Sequence, residues 1–279
     1  MKNKYIFHTT ELSEKEGTLI KAVFGKKALL KKGFYSIEIE QVITVEQLKL
    51  LREQVNFDIN LLPSSFKGGE VGLLVTDMDS TLISIECIDE IADMLGIKPQ
   101  VSAITEAAMR GELDFAASLT QRVALLKGLP VEKLQAVYDE RLQLNPGAKK
   151  LIDYLKKSSI KLALVSGGFT FFTDKLKESL GLDYTLANTL EVENGCLTGR
   201  VTGDIVGAKA KAELLKSLAS QLNLSLRQVI AMGDGANDLL MMDEAGLSVA
   251  YHAKPTVQQQ TDIQLNHSGL DAVIDVLSA

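Results

Sequence analysis

Two aspartates one residue apart, Asp77 and Asp79, stand where the apolar run Leu73-Leu74-Val75 ends in the stretch LLVTDMDSTL. Burying one unpaired carboxylate is costly, and two close together repel, so the pair calls for a cation or a reaction. Other polar residues gather behind later apolar runs. Ser166, Gly167 and Gly168 follow one, Asp234, Asn237 and Asp238 follow another in GDGAND, and Lys211 lies in GAKAKAELL. Clustered carboxylates suit a hard cation such as Mg²⁺, which takes oxygen ligands and usually keeps waters and a phosphate oxygen. A lysine, a serine hydroxyl and amides around Gly167, where GGFTFF opens a helix, suit a phosphate. In that chemistry Asp77, nearer the strand, is the candidate nucleophile on phosphorus. Asp79 is the candidate acid and base: it protonates the leaving oxygen, then deprotonates the water that cleaves the intermediate.

Plainer readings compete with each assignment. Asp77 could be a helix N-cap, and Asp234 and Asp238 could merely cap the helix that follows GDGAND. Ser166 and its glycines could form an ordinary turn, and Lys209 and Lys216 lie close enough to rival Lys211. His8, His252 and His267 show no ligand spacing and read as structural.

The elements that must position these groups form three regions. From residue 71 onward, apolar runs end at VGLLVTD, IKLALVSGG, DYTLANTLEV, QVIAMGDG and GLSVAYHA, mostly separated by helical stretches. That alternation predicts an α/β fold with a parallel sheet covered on both faces. The ligand site of such a sheet lies beyond the carboxyl ends of its strands. Residues 88–144 break the rhythm with helical patterns only, which predicts a helical cap inserted after the first core strand. Residues 1–68 read as a separate small α+β region. KYIFHTT, FYSIEIEQV and FDINLLP are strand-like, GTLIKAVFGKKALL and VEQLKLLREQV helix-like, and PSSFKGGE has linker composition.

The 279 residues are enough for one large or two smaller domains, and a net charge of −6 disfavours a nucleic-acid-binding surface. Cys87 and Cys196 have no metal-site spacing and read as reduced thiols. The N-terminus turns acidic before an apolar segment can form, and no apolar stretch approaches a membrane span, so a cytoplasmic protein is expected.

DMDST, SGG, Lys211 and GDGAND, in this order, resemble the four motifs of the haloacid dehalogenase superfamily. The likeness covers residues 71–275, including the cap segments IECIDEIA and AMRGELDFAASLTQRVALLKG, and points to the branch that hydrolyses O-phospho-L-serine. It implies a Rossmann-like core, an aspartyl-phosphate intermediate and one Mg²⁺ per active site, held by Asp77, Asp79 and Asp234. It also implies that Glu86 takes the substrate ammonium and Arg122, four residues beyond Ser118 and eight beyond Asp114, its carboxylate. Met109 and Phe115 would cover the substrate; Ser166, Gly167, Lys211 and Asn237 would bind it at the phosphate, with Gly168 and Asp238 supporting. Glu86 and Arg122 also read plainly as solvated charges. In some relatives the N-terminal position holds an ACT-like regulatory module. The implied partners are the small-molecule substrate and a second copy of the chain in a homodimer, with neither nucleic acid nor membrane. A phosphotransferase with a similar site and a non-catalytic amino-acid-binding protein remain open beside the hydrolase.

Overall fold

The computed structural model describes residues 2–279, apart from the side chain of Met109. The N-terminal region holds β1 (Asn3–Phe7), β2 (Leu29–Leu30), β3 (Tyr35–Ile39) and β4 (Ile59–Leu62), with helices at Glu14–Phe24 and Val45–Arg52. The strands pair antiparallel in the order β2-β3-β1-β4. A βαββαβ chain in that order is a complete ferredoxin-like unit. The first helix is shorter than GTLIKAVFGKKALL suggests, and its last residues form β2 instead. Gly25 stops the helix in the left-handed region (φ 67°), its N–H donating to the Lys21 carbonyl.

The core comprises β5 (Leu73–Thr76), β6 (Lys161–Phe169), β7 (Tyr184–Glu193), β8 (Cys196–Thr202), β9 (Val229–Gly233), β10 (Leu247–Tyr251) and β11 (Ile263–Leu265). Their order is β11-β10-β9-β5-β6-β7-β8, parallel except for the β7–β8 pair. Both faces of the sheet are covered. Leu73 and Val75 pack with Leu215 and Leu218 of the helix Ala208–Gln221, while Leu74 faces the opposite way with Leu151 and Leu155. Strand alternation thus sends neighbouring apolar residues into two separate cores. β8 and β11 went unmarked in the sequence, being an outlying hairpin arm and a three-residue edge.

The expected cap is present as four helices, Cys87–Met94, Lys98–Met109, Phe115–Ala124 and Val131–Glu140. The cap also has a β contribution that a helix-only reading lacked. The β7–β8 hairpin reaches out of the sheet to it: the Gly128 N–H donates to the Leu197 carbonyl at 2.8 Å, and Pro130 bridges Cys196. The two chain segments that join cap to core run side by side, with the Ser84 N–H donating to the Gln143 carbonyl at 2.9 Å.

The N-terminal unit is sewn to the outer edge of the core sheet. Asn60 exchanges two hydrogen bonds with the Gln264 backbone, and the buried Asp58 carboxylate accepts from the Asn266, His267 and Ser268 amides at 2.8–3.0 Å. Across the same junction His8 Nδ1 meets Asp275 at 2.9 Å. Cys87 and Cys196 are both free thiols. No helix among the described residues is long and apolar enough to cross a membrane.

Candidate active site

The central strand decides where the chemistry gathers. Thr76 of β5 is in register with Leu164 of β6 and Met232 of β9, so the residues that follow on all three strands emerge at one edge of the sheet. Asp77 steps off β5 while its amide still donates to the Met232 carbonyl at 2.9 Å. Ser166 and Asp234 arrive from the neighbouring strands. Beyond Asp77 the chain winds through one wide turn, Met78–Leu82, closed by Ile83 N–H to Met78 C=O at 3.0 Å. Inside it Asp79 is extended and Ser80 left-handed (φ 55°), which turns the Asp77 and Asp79 side chains to different duties.

Lys211 lies fully buried beneath this turn and donates to Asp77, and to Asp238 at 2.7 Å. Its rivals are excluded: Lys209 and Lys216 are exposed and pair with Glu213 and Glu244. Burial alone would discharge Lys211, but Asp238 and Asp77 hold its pKa above the ordinary value. The Asp77 carboxyl is also raised, by burial first and by the Asp238 charge next, with Lys211 opposing. Asp234 is pushed up to about 6, again by burial and then by Asp238, although it accepts a 2.9 Å hydrogen bond from Thr81 Oγ1.

The Lys211 ammonium is therefore bonded to two of three neighbouring acids. Oxygens of Asp77, Asp234 and Asp238 all lie within 4.8 Å of one another. An all-oxygen donor set with uncompensated negative charge fits a hard divalent cation. The Asp79 side chain does not join this cluster. Its Oδ1 accepts from the Cys87 amide at 3.0 Å and its Oδ2 faces Ser166 Oγ at 3.4 Å. Burial raises the Asp79 carboxyl above its ordinary pKa, with the Cys87 amide working against it. The plain capping role fails for Asp77, whose side chain makes no cap hydrogen bond, whereas Asp238 does accept from the Gly235 amide at 3.1 Å.

Ser166 to Gly168 form a bulge where the β6–β7 register shifts. Ser166 is buried, and its Oγ accepts from the Gly168 amide at 2.8 Å. Both glycines are needed for space. A Cβ on Gly167 would lie 2.8 Å from the Phe115 ring, and one on Gly168 would lie 2.8 Å from Asp79 Oδ2. Asn188 pins the bulge by donating to the Gly167 carbonyl and accepting from the Val206 amide, each at 2.8 Å.

Above these groups is a cavity of about 540 Å³ shared by core and cap, lined by Asp77, Asp79, Gly167, Gly168, Asp234 and Asn237 from the core. The cap contributes Glu86, Phe115, Ser118 and Arg122, and the Phe115 ring resting on Gly167 closes the cap over the site. Glu86 accepts from Ser80 Oγ at 2.6 Å and is pushed up to about 7, mainly by the protein around it and then by Asp79. Arg122, largely enclosed, has its pKa lowered by burial and makes no salt bridge among the described residues. Its Nε donates weakly to the Ser118 carbonyl at 3.4 Å. Asp114 caps the same helix by accepting from the Ala117 amide at 2.7 Å.

The structure thus brings together every site residue expected from the sequence except Met109, whose side chain lies outside the described residues. Thr81, Asn188 and Lys254, which also lines the cavity, were missed. Thr81 closes the DMDST motif and could have been marked by it, whereas Asn188 within β7 and Lys254 before a short helix are lone polar residues with no motif spacing.

A strand-end aspartate pair, a buried lysine and an inserted cap define a hydrolase of the haloacid dehalogenase type. The family model for haloacid dehalogenase-like hydrolases matches residues 74–243, and the chain belongs to that family. A phosphoserine phosphatase of Polaromonas sp. is 53% identical over 224 residues, covering 78% of this chain and 95% of that protein. Two solved structures cover 99% of this chain, N-terminal unit included. One is a haloacid dehalogenase family hydrolase from Salmonella enterica serovar Typhi, with TM-score 0.87, 36% identity and 99% of its own chain covered. The other is a probable phosphoserine phosphatase from Vibrio cholerae, with TM-score 0.86, 38% identity and 86% of its chain covered.

Proposed function

We propose that this enzyme hydrolyses O-phospho-L-serine to L-serine and phosphate, the last step of serine biosynthesis. The observation that carries this reading is the polarity of the cavity. Its core end holds acids and a lysine suited to a metal and a phosphoryl group. Its cap end offers one carboxylate, Glu86, and one guanidinium, Arg122, that makes no salt bridge among the described residues. An ammonium and a carboxylate on one small phosphomonoester match that pair, with arginine's fork suited to bidentate contact. The phosphoserine phosphatases among the relatives agree with the match.

In this reading Asp77 attacks phosphorus and becomes an aspartyl phosphate, while the serine oxygen leaves with the proton of Asp79. Asp79 then takes a proton from water, whose oxygen displaces phosphate from Asp77 and regenerates the carboxylate. Ser166, Lys211, Asn237 and the Gly167 amide hold the phosphoryl oxygens. The Asp77, Asp234 and Asp238 carboxylates would hold one Mg²⁺, which when bound neutralises phosphoryl charge. The N-terminal unit is read as an ACT-like regulatory module, its βαββαβ topology being in keeping with one. A homodimer is supported by the exposed Leu29 and Leu30 on the edge strand β2. A cytoplasmic location suits reduced cysteines and this substrate.

Phosphate release from a panel of phospho-amino acids, with Mg²⁺ and with excess chelator, tests the reading. Rapid release from O-phospho-L-serine that stops on chelation and returns with Mg²⁺ is expected. Undiminished release in chelator would remove the metal, and preference for a phosphomonoester without an amino-acid end would remove the substrate.

A further inference from the structure

The loop that carries the two acids is held from the other side of the cap insertion. Asn145 lies where the chain returns from the cap, 64 residues beyond Thr81. Its side-chain amide nitrogen faces three carbonyls of the outgoing segment: Thr81 at 2.8 Å, Ile83 at 3.0 Å and Ser80 at 3.3 Å. Its backbone N–H donates to the Leu82 carbonyl at 3.0 Å. One residue therefore contacts four consecutive carbonyls just beyond Asp79.

Those residues carry side chains that reach the cavity walls. Ser80 donates to Glu86, and Thr81 donates to Asp234. Ser80 is also left-handed, a conformation that a serine keeps only when its surroundings impose it. We propose that Asn145 is a positioning residue: by fastening the carbonyls of residues 80–83 it aims Ser80 at Glu86 and Thr81 at Asp234. It thereby sets the ammonium end and the cation end of the site together. The Glu86 half of this assignment rests on the phosphoserine reading; the Asp234 half does not.

The hydrogen-bond argument separates two substitutions of nearly opposite steric effect. Asn145→Ala removes the donor and leaves space, whereas Asn145→Asp keeps the shape but sets a carboxylate against three carbonyl oxygens. A packing role predicts that the isosteric variant is the milder one, and a donor role predicts the reverse.

The test combines kinetics with backbone exchange in the metal-free protein. In Asn145→Ala, the Ser80, Ile83 and Ser84 amides should exchange with deuterium at least about tenfold faster, while those of β5 stay protected. The Mg²⁺ concentration for half-maximal hydrolysis of p-nitrophenyl phosphate should rise roughly three- to tenfold, with a further rise in KM for phosphoserine. Asn145→Asp should exceed Asn145→Ala in all three. Unchanged exchange at residues 80–84, or an Asn145→Asp variant milder than Asn145→Ala, would overturn the proposal. If wild-type protein hydrolyses p-nitrophenyl phosphate and not phosphoserine, the substrate reading fails, and Asn145 is then judged on exchange and on the Mg²⁺ requirement alone.

Discussion

The two ends of the cavity are built on opposite terms. At the core end the charges are committed to each other: Lys211 is buried and bonded to both Asp77 and Asp238, and Asp234 is held by Thr81. At the cap end they are held in reserve, with Glu86 contacted by one serine hydroxyl and Arg122 by one distant carbonyl. The committed end is preorganised for a phosphoryl group, which every phosphomonoester shares, so reorganisation at the reaction is small. The reserved end leaves its charges for a ligand and so carries the discrimination among substrates. Placing one end on parallel strand termini and the other on an inserted cap lets chemistry and recognition vary separately.

Replacing the committed acids should have the largest effect. Asp77→Asn should abolish turnover, by on the order of 10⁴-fold or more, without loss of the fold. Near-normal turnover in that variant would dismiss Asp77 as the nucleophile. Asp79→Asn should slow release by roughly 10²–10⁴-fold on both phosphoserine and p-nitrophenyl phosphate, since an amide cannot move the required proton. A loss confined to phosphoserine would instead place Asp79 with the recognition end.

The reserved end should show itself in pH dependence. Glu86 is pushed up to about 7, so it is ionised above that pH and neutral below. Only the ionised form attracts an ammonium, so kcat/KM for phosphoserine should fall as pH drops through that range, approaching roughly tenfold per unit. The ratio to p-nitrophenyl phosphate should fall with it. Glu86→Gln should flatten this limb; persistence of the limb in that variant would assign it to another group.

The smallest effect on catalysis is expected at the junction of the N-terminal unit. Asp58→Asn weakens a carboxylate that accepts three backbone amides and should cost about 1–3 kcal/mol of stability, visible as a lowered Tm. The phosphoserine to p-nitrophenyl phosphate ratio should stay within about twofold, because the junction is remote from the cavity. A changed ratio would couple the N-terminal unit to recognition.

The committed end was legible in the sequence because strand ends in a parallel sheet share one level. An apolar run followed by Asp77 or Asp234 is enough to place both. The cap insertion was legible as a break in the strand–helix rhythm. The β8 arm of the β7–β8 hairpin was not, because it pairs only with β7 and the cap, leaving no core-like apolar run at Cys196–Thr202. Asn145 and Asn188 escaped for a related reason. Each works through bonds to backbone atoms of a distant loop, and a single asparagine carries no periodicity. The Asp79 side chain stands apart from the acidic cluster for a local reason. The extended backbone at Asp79 carries its carboxylate to the Cys87 amide, leaving Asp238, rather than Asp79, beside Asp77 and Asp234.

The division of the cavity is tested most directly by the ratio of kcat/KM for phosphoserine to that for p-nitrophenyl phosphate, in wild type, Arg122→Ala and Lys211→Ala. Losing the guanidinium strands a buried substrate carboxylate and should lower phosphoserine turnover by roughly thirty- to a thousandfold, sparing p-nitrophenyl phosphate. Lys211→Ala should lower both in parallel. Equal losses on the two substrates in Arg122→Ala would contradict the account.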